Sequence, residues 1–82
     1  MRNIKKTIYG ILDKEILIHS KKIDTSSSFT KDLKLTLIDF NLLLFNVENT
    51  FKIDIGANEI TPDSTIDDLI YCISTKVNNN QA

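Results

Sequence analysis

The chain has one cysteine, one histidine, no surplus of either charge and no long apolar run, and each lack excludes something. A single cysteine, Cys72, cannot staple the chain to itself, and together with His19 it cannot assemble a zinc site, so no metal centre is expected. Ten basic residues against eleven acidic ones leave a formal charge of −1. A nucleic acid backbone therefore finds no basic surface to bind. With 41% apolar residues, the chain is not a disordered acidic or basic tail either. No apolar run approaches the roughly 18–20 residues of a membrane span, and no small-residue cleavage site follows an apolar N-terminal stretch. What is left is 82 residues, enough for one small domain and no second. A soluble, cytoplasmic domain that relies on its hydrophobic core is the expectation.

The near-zero charge hides a polarity. Residues 1–22 carry Arg2, Lys5, Lys6, Lys14, Lys21 and Lys22 against Asp13 and Glu15, whereas the remainder carries four lysines against nine acids. Solvated charge at opposite ends of a small fold accounts for this, and electrostatic steering of a partner is the alternative.

Three stretches have helical periodicity. Ile4, Ile8, Ile11, Leu12 and Ile16 recur at helical spacing, predicting a helix from about Asn3 to Ile18 or His19, with Gly10 weakening it by about 1 kcal/mol. A long loop follows, in which Thr25-Ser26-Ser27-Ser28 reads as a flexible polar linker and Ile23, Phe29 and Leu33 as single apolar anchors. Thr36-Leu37-Ile38-Asp39 fits a capping box opening a helix from Leu37 to about Phe51. At about 100° per residue that helix shows two apolar stripes. Phe40, Leu43, Leu44, Val47 and Phe51 make a core face; Ile38, Leu42 and Phe45 lie on the far side. It has more apolar surface than one core needs.

Lys52 to Thr61 allows a turn and at most one short helix before Pro62-Asp63 breaks the chain. Ile66, Leu69, Ile70, Ile73 and Val77 then predict a last helix, capped by Thr65 with Asp68 or by Ser64 with Asp67. Residues 78–82 have nothing to bury and should fray, so the domain is placed at 1–77. No strand-like alternations come in pairs. The fold expected is all-α, three main helices plus a minor one.

Phe29-Thr30-Lys31-Asp32-Leu33, Val47-Glu48-Asn49-Thr50-Phe51 and Ser64-Thr65-Ile66-Asp67-Asp68-Leu69-Ile70 resemble three segments of the acyl carrier protein family, "F-x-x-D-L", "L-E-x-x-F" and "T-T-V-x-D-x-I". The resemblance extends from Ile4 to Val77. It implies an acyl-carrier-protein-like four-helix bundle with a long loop between the first two helices. It also implies work beside enzymes of fatty acid, polyketide or peptide-type biosynthesis, or beside another carrier protein. In that family a D-L-G-A-D-S-L loop delivers a serine that carries a phosphopantetheine arm. The matching stretch here is Asp32-Leu33-Lys34-Leu35-Thr36-Leu37-Ile38, with Lys34 at the glycine and Leu37 at the serine. Leucine has no hydroxyl to esterify, so by this resemblance the phosphopantetheine cofactor is expected to be absent. Thr36 is a poor substitute, being a secondary alcohol with its own task as helix cap, and Ser26, Ser27 and Ser28 lie far from the helix start.

The family's second helix is rich in acids that meet basic patches on partner enzymes. Here only Asp39 and Glu48 remain, while Leu42, Asn49 and Thr50 stand at positions often acidic in the family. Leu35, Leu37, Ile38, Leu42 and Phe45 are the expected partner-facing set. Fully burying one such side chain is worth about 1.5–3 kcal/mol, so a cluster of five favours a partner or a symmetric homodimer. The alternative folds Leu35 and Leu37 down over the bundle and leaves Leu42 alone exposed.

The remaining polar residues have structural readings. His19 suits a helix C-terminus, Cys72 is a small filler on the flank of the last helix, and Asp67 and Asp68 are first-turn acids. Tyr9 and Tyr71 read as rim residues. A catalytic thiol needs an activating histidine, and only His19 exists. No enzyme is expected.

Overall fold

Three helices account for the regular structure of the computed structural model, which describes residues 3–16, 24–56 and 58–79. They are α1 (Ile4–Lys14), α2 (Leu37–Phe51) and α3 (Ile66–Asn79), and α1 packs against both of the others. The described residues form no strand; one isolated antiparallel bridge joins Ser28 to Thr65. The expectation of an all-α fold agrees with this.

α1 opens on Asn3, whose Oδ1 accepts from the Lys6 N–H at 3.0 Å. It buries Ile8 and Leu12 completely. It closes at Lys14, short of the Ile18 or His19 expected. The carbonyl of Ile11 accepts from both Glu15 N (2.8 Å) and Ile16 N (3.3 Å), a wrapped last turn. Steps of four residues drift about 40° around a helix, so a continuing helix would carry Ile16 away from the Ile8 side. The wrapped turn ends that drift, and Ile16 stays buried. His19, Leu17, Ile18 and residues 20–23 lie outside the described residues.

α2 opens on the expected capping box: Asp39 N donates to Thr36 Oγ1 at 3.1 Å and Thr36 N to Asp39 Oδ2 at 3.5 Å. Phe40, Leu43, Val47 and Phe51 are its buried face. The helix ends where Lys52 turns left-handed at φ 59°, and Ile53 N reaches back to the Glu48 carbonyl at 3.1 Å.

The short helix expected between Lys52 and Thr61 is absent among the described residues. Side chains take the backbone donors it would need. Ile55 N donates to Glu48 Oε2 (2.8 Å), Gly56 N to Glu59 Oε1 (2.6 Å) and Thr61 N to Ser64 Oγ (3.0 Å). Ile53 and Ile60 are buried as separate anchors.

α3 is capped by Thr65 and Asp68, which exchange hydrogen bonds of 3.0 and 3.2 Å. Ile66, Leu69 and Ile73 are fully buried. The helix runs through Asn79; residues 80–82 lie outside the described residues.

The serine run is a hydrogen-bonded turn and not a flexible linker. Ser26 N and Oγ both donate to Asp24 Oδ1 at 2.9 Å, and Ser28 is buried with its hydroxyl on the Asp63 carbonyl at 3.2 Å. Backbone bonds then zip this loop to the approach of α3: Phe29 N to Ser64 O (3.0 Å), Ile66 N to Ser27 O (3.2 Å) and Asp67 N to Thr25 O (2.7 Å). Phe29 is fully buried and tilts against Phe40 at 5.7 Å.

Gly10 sits inside α1 with no atom within 4 Å of where a Cβ would lie. Gly10→Ala is therefore expected to stabilise the fold by about 0.5–1 kcal/mol, read as a higher urea midpoint at unchanged slope.

Candidate functional site

The outer face of α2 is the feature the fold leaves uncovered. Ile38, Leu42 and Phe45 recur at i, i+4 and i+7, on the side opposite Phe40, Leu43 and Val47. Leu37 is 63% exposed, Ile38 79%, Leu42 38% and Phe45 60%. These four of the five residues expected on this surface share it. The fifth does not. Leu35 is 5% exposed and belongs to the core.

The loop explains why. Ser28 N donates to Asp32 Oδ2 at 2.7 Å and Lys31 N to Ser28 Oγ at 3.3 Å, forming a tight turn over residues 28–33. Lys34 then reverses the chain at φ 60°, and Leu35 N returns to the Phe29 carbonyl at 2.9 Å. That bond points Leu35 inward. One residue later Thr36 caps the helix, and Leu37 begins it facing out. The alternative that folded both Leu35 and Leu37 onto the bundle thus holds for Leu35 alone.

Electrostatically the face is bare. Asn41 and Asn49 are its polar members, both exposed. The two acids of α2 have internal work: Asp39 in the capping box, and Glu48 accepting from Ile55 N. The Thr36 hydroxyl oxygen is likewise engaged by Asp39 N, in keeping with its reading as a cap. Lys31, Lys34 and Lys52 stand at the two ends of the helix together with Asp32 and Asp54, all five exposed.

Apart from this face, an open cleft of about 560 Å³ lies between the turn at Asn58–Thr61 and α3. Several of its polar groups are already paired. Thr61 and Ser64 share hydrogen bonds, and Glu59 meets Lys76 at 2.9 Å. Cys72 lies at its wall, buried as a filler, with burial and then Glu59 pushing its thiol pKa up. That thiol stays protonated at neutral pH. No group of three or more metal-ligating side chains is gathered among the described residues, and no described helix is long and apolar enough to cross a membrane.

Part of the charge polarity is matched internally. Lys5 lies 5.8 Å from the Tyr9 ring and acts electrostatically on Asp24, whose carboxyl is held low first by the Ser26 N–H and then by its hydroxyl. Tyr9 is half-buried, and its phenol is raised by burial and then by Asp24 and Asp67; Tyr71 is exposed.

Two expected outcomes follow from this geometry. A left-handed backbone is strained for lysine and free for glycine, so Lys34→Gly is expected to raise stability by about 0.5–1 kcal/mol, measured by urea titration. The Glu59 carboxyl lies below its ordinary 4.5, first because of the Gly56 N–H and then Lys76; Lys76 is raised above 10.5, first by its hydrogen bond to Glu59. The depressed acid stabilises the fold above the usual glutamate range and loses that contribution as pH falls through its lowered value. The raised base loses its contribution as pH climbs through its raised value. The urea midpoint of wild type should therefore exceed that of Glu59→Gln by most at neutral to mildly basic pH; the difference should close as pH falls through the lowered Glu59 value and only narrow as Lys76 deprotonates, because the Gly56 N–H bond to the carboxylate remains.

No model of a known protein family matches the chain, and no curated protein matches it.

Proposed function

We propose that the chain is an acyl-carrier-protein-like domain that works without a phosphopantetheine arm and offers α2 to enzymes of fatty acid, polyketide or peptide-type biosynthesis, or to another carrier protein. The observation that carries this reading is the exposed apolar face of Leu37, Ile38, Leu42 and Phe45, on the helix that the resemblance assigns to partner recognition.

Other features support it. The position aligned with the family's glycine, Lys34, is left-handed, the conformation glycine adopts without strain. Phe29 and Asp32 of the matched "F-x-x-D-L" segment are the ring that fills the core and the carboxylate that holds the Ser28 N–H. The bundle is read as the family's with its minor helix replaced by the side-chain-bonded turn before α3.

The prosthetic arm does not fit these residues. Leu37 opens α2 with an exposed aliphatic side chain and no acceptor oxygen, and the Thr36 oxygen serves the cap. The role that remains is non-enzymatic: scaffolding, occupancy of a carrier-binding surface, or regulation.

Intact-mass analysis after incubation with a promiscuous phosphopantetheinyl transferase and coenzyme A tests this. Wild type is expected to keep its mass, and Leu37→Ser to gain one phosphopantetheine. Modification of wild type would refute the armless reading, and an unmodified Leu37→Ser would count against the alignment itself.

A further inference from the structure

Resting on the reading of α2 as a docking face, the pattern of that face identifies an occupant. We propose that α2 pairs antiparallel with α2 of a second copy of the chain, in a weak dimer that withholds the face until an enzyme displaces the copy. On the helix wheel Ile38 and Phe45 lie within about 20° of each other and form the ridge of the face. Leu42 stands about 40° to one side of Ile38 and Asn41 about 60° to the other. Ile38 and Phe45 project, at 79% and 60% exposed, while Leu42 between them is recessed at 38%.

This pattern is close to its own complement. A twofold axis midway between Asn41 and Leu42 sets Ile38 of one protomer against Phe45 of its partner, and the reverse. It also brings Leu42 to Leu42 on one side of the ridge and Asn41 to Asn41 on the other. Each amide has both donor and acceptor, so the two asparagines satisfy one another. A lone amide in an apolar seam also fixes register, because a slip leaves it unpaired. Charge does not oppose the pairing. The end before α2 carries Lys31, Asp32 and Lys34 and the end after it Lys52 and Asp54, so antiparallel copies meet both signs at each end. Asp39 and Glu48, on the flanks, hold backbone donors. At a formal charge of −1 per chain, two copies repel each other little.

The area sets the strength. At about 150–250 Å² for a fully exposed large side chain, Leu37, Ile38, Leu42 and Phe45 offer about 350–600 Å² per copy. A pair then buries about 700–1,200 Å² in all, at the lower bound for a specific interface, where complexes are weak and exchange. Weak pairing suits a face that an enzyme must also reach, since self-pairing and docking exclude one another.

Analytical ultracentrifugation of the full chain from about 5 to about 500 µM is expected to show the mass rising from monomer towards dimer. Ile38→Lys and Phe45→Glu, both at exposed positions, should each weaken self-association by about tenfold or more, with unchanged far-ultraviolet circular dichroism. Mixed one to one, the two variants should associate again. The antiparallel register places the new ammonium opposite the new carboxylate and leaves the other Ile38–Phe45 contact intact. Asn41→Asp, nearly isosteric, is a second variant that sets two carboxylates together at the axis and should also weaken the pair. A wild-type dimer whose mixed variants stay apart would overturn the antiparallel register. A dimer indifferent to all three substitutions lies elsewhere on the molecule and would overturn pairing through α2. A wild type monomeric to about 500 µM would overturn the dimer but leave α2 as a face for another protein, a reading that the Leu37→Ser mass experiment tests separately. A monomer that co-sediments with phosphatidylserine-containing vesicles, an association lost in Phe45→Glu, would make the occupant a bilayer and overturn the proposal too.

Discussion

Phe29 is held by its backbone from two directions, and the placement of the exposed helix face depends on that. Its N–H donates to the Ser64 carbonyl at 3.0 Å and its carbonyl accepts from Leu35 N at 2.9 Å. The ring between those two bonds is fully buried and leans on Phe40 at 5.7 Å. One residue therefore joins three things: the approach to α3, the start of α2 and the shared core. Burial of the ring supplies the energy; the two backbone bonds convert it into register. Shift that register by one residue and Leu35 leaves the core, the Thr36 cap loses its place, and Leu37 no longer opens the helix facing out.

The acids of this chain are largely occupied in holding backbone donors. Asp32 serves Ser28 N, Asp39 and Asp68 close capping boxes, Glu48 serves Ile55 N and Glu59 serves Gly56 N. Small helical domains have many unpaired N–H groups for their size, because each helix start leaves several without a partner. Here carboxylates fill that need. The consequence reaches the surface: the acids of α2 are turned to its flanks and its ends, and the outward face carries none. A neutral face on α2 is thus partly a by-product of how the helix and the turn after it are held.

Much of this was readable in the residues, for identifiable reasons. The limits of α2, its capping box and its two stripes follow from strong periodicity and local chemistry acting within four residues. The Thr65–Asp68 cap was legible in the same way, as one of two choices. What escaped was set by contacts distant in sequence. Leu35 looks like Leu37 in composition; only the reversal at Lys34 and the bond to Phe29 distinguish them. The serine run reads as a linker because nothing local says that Ser28 will meet Asp63, 35 residues on. The missing minor helix had suitable apolar residues in Ile53, Ile55 and Ile60, but Glu48, Glu59 and Ser64 claim the amides first. The early end of α1 has the same origin, since the wrapped turn at Ile11 keeps Ile16 in the core and no residue nearby announces it.

The exposed face also constrains how an encounter would proceed on the proposed reading. A surface lined by acids draws a basic partner from a distance and associates fast, with rates that fall steeply with salt. A face with apolar residues at its centre and little net charge around it gains little from long-range attraction, so its on-rate lies nearer the unsteered range of about 10⁵–10⁶ M⁻¹s⁻¹. Affinity must then come from slow release, which depends on how completely Ile38 and Phe45, the two most projecting apolar groups along the stripe, are buried. On the same reading Leu37 acts in the same direction, because it adds apolar area at the start of the helix. On the proposed reading, such a domain is better suited to remain on a partner than to visit several in turn. That distinction separates an occupant or scaffold from a shuttle, and it rests on the same few side chains that the turn at Lys34 leaves outside the core.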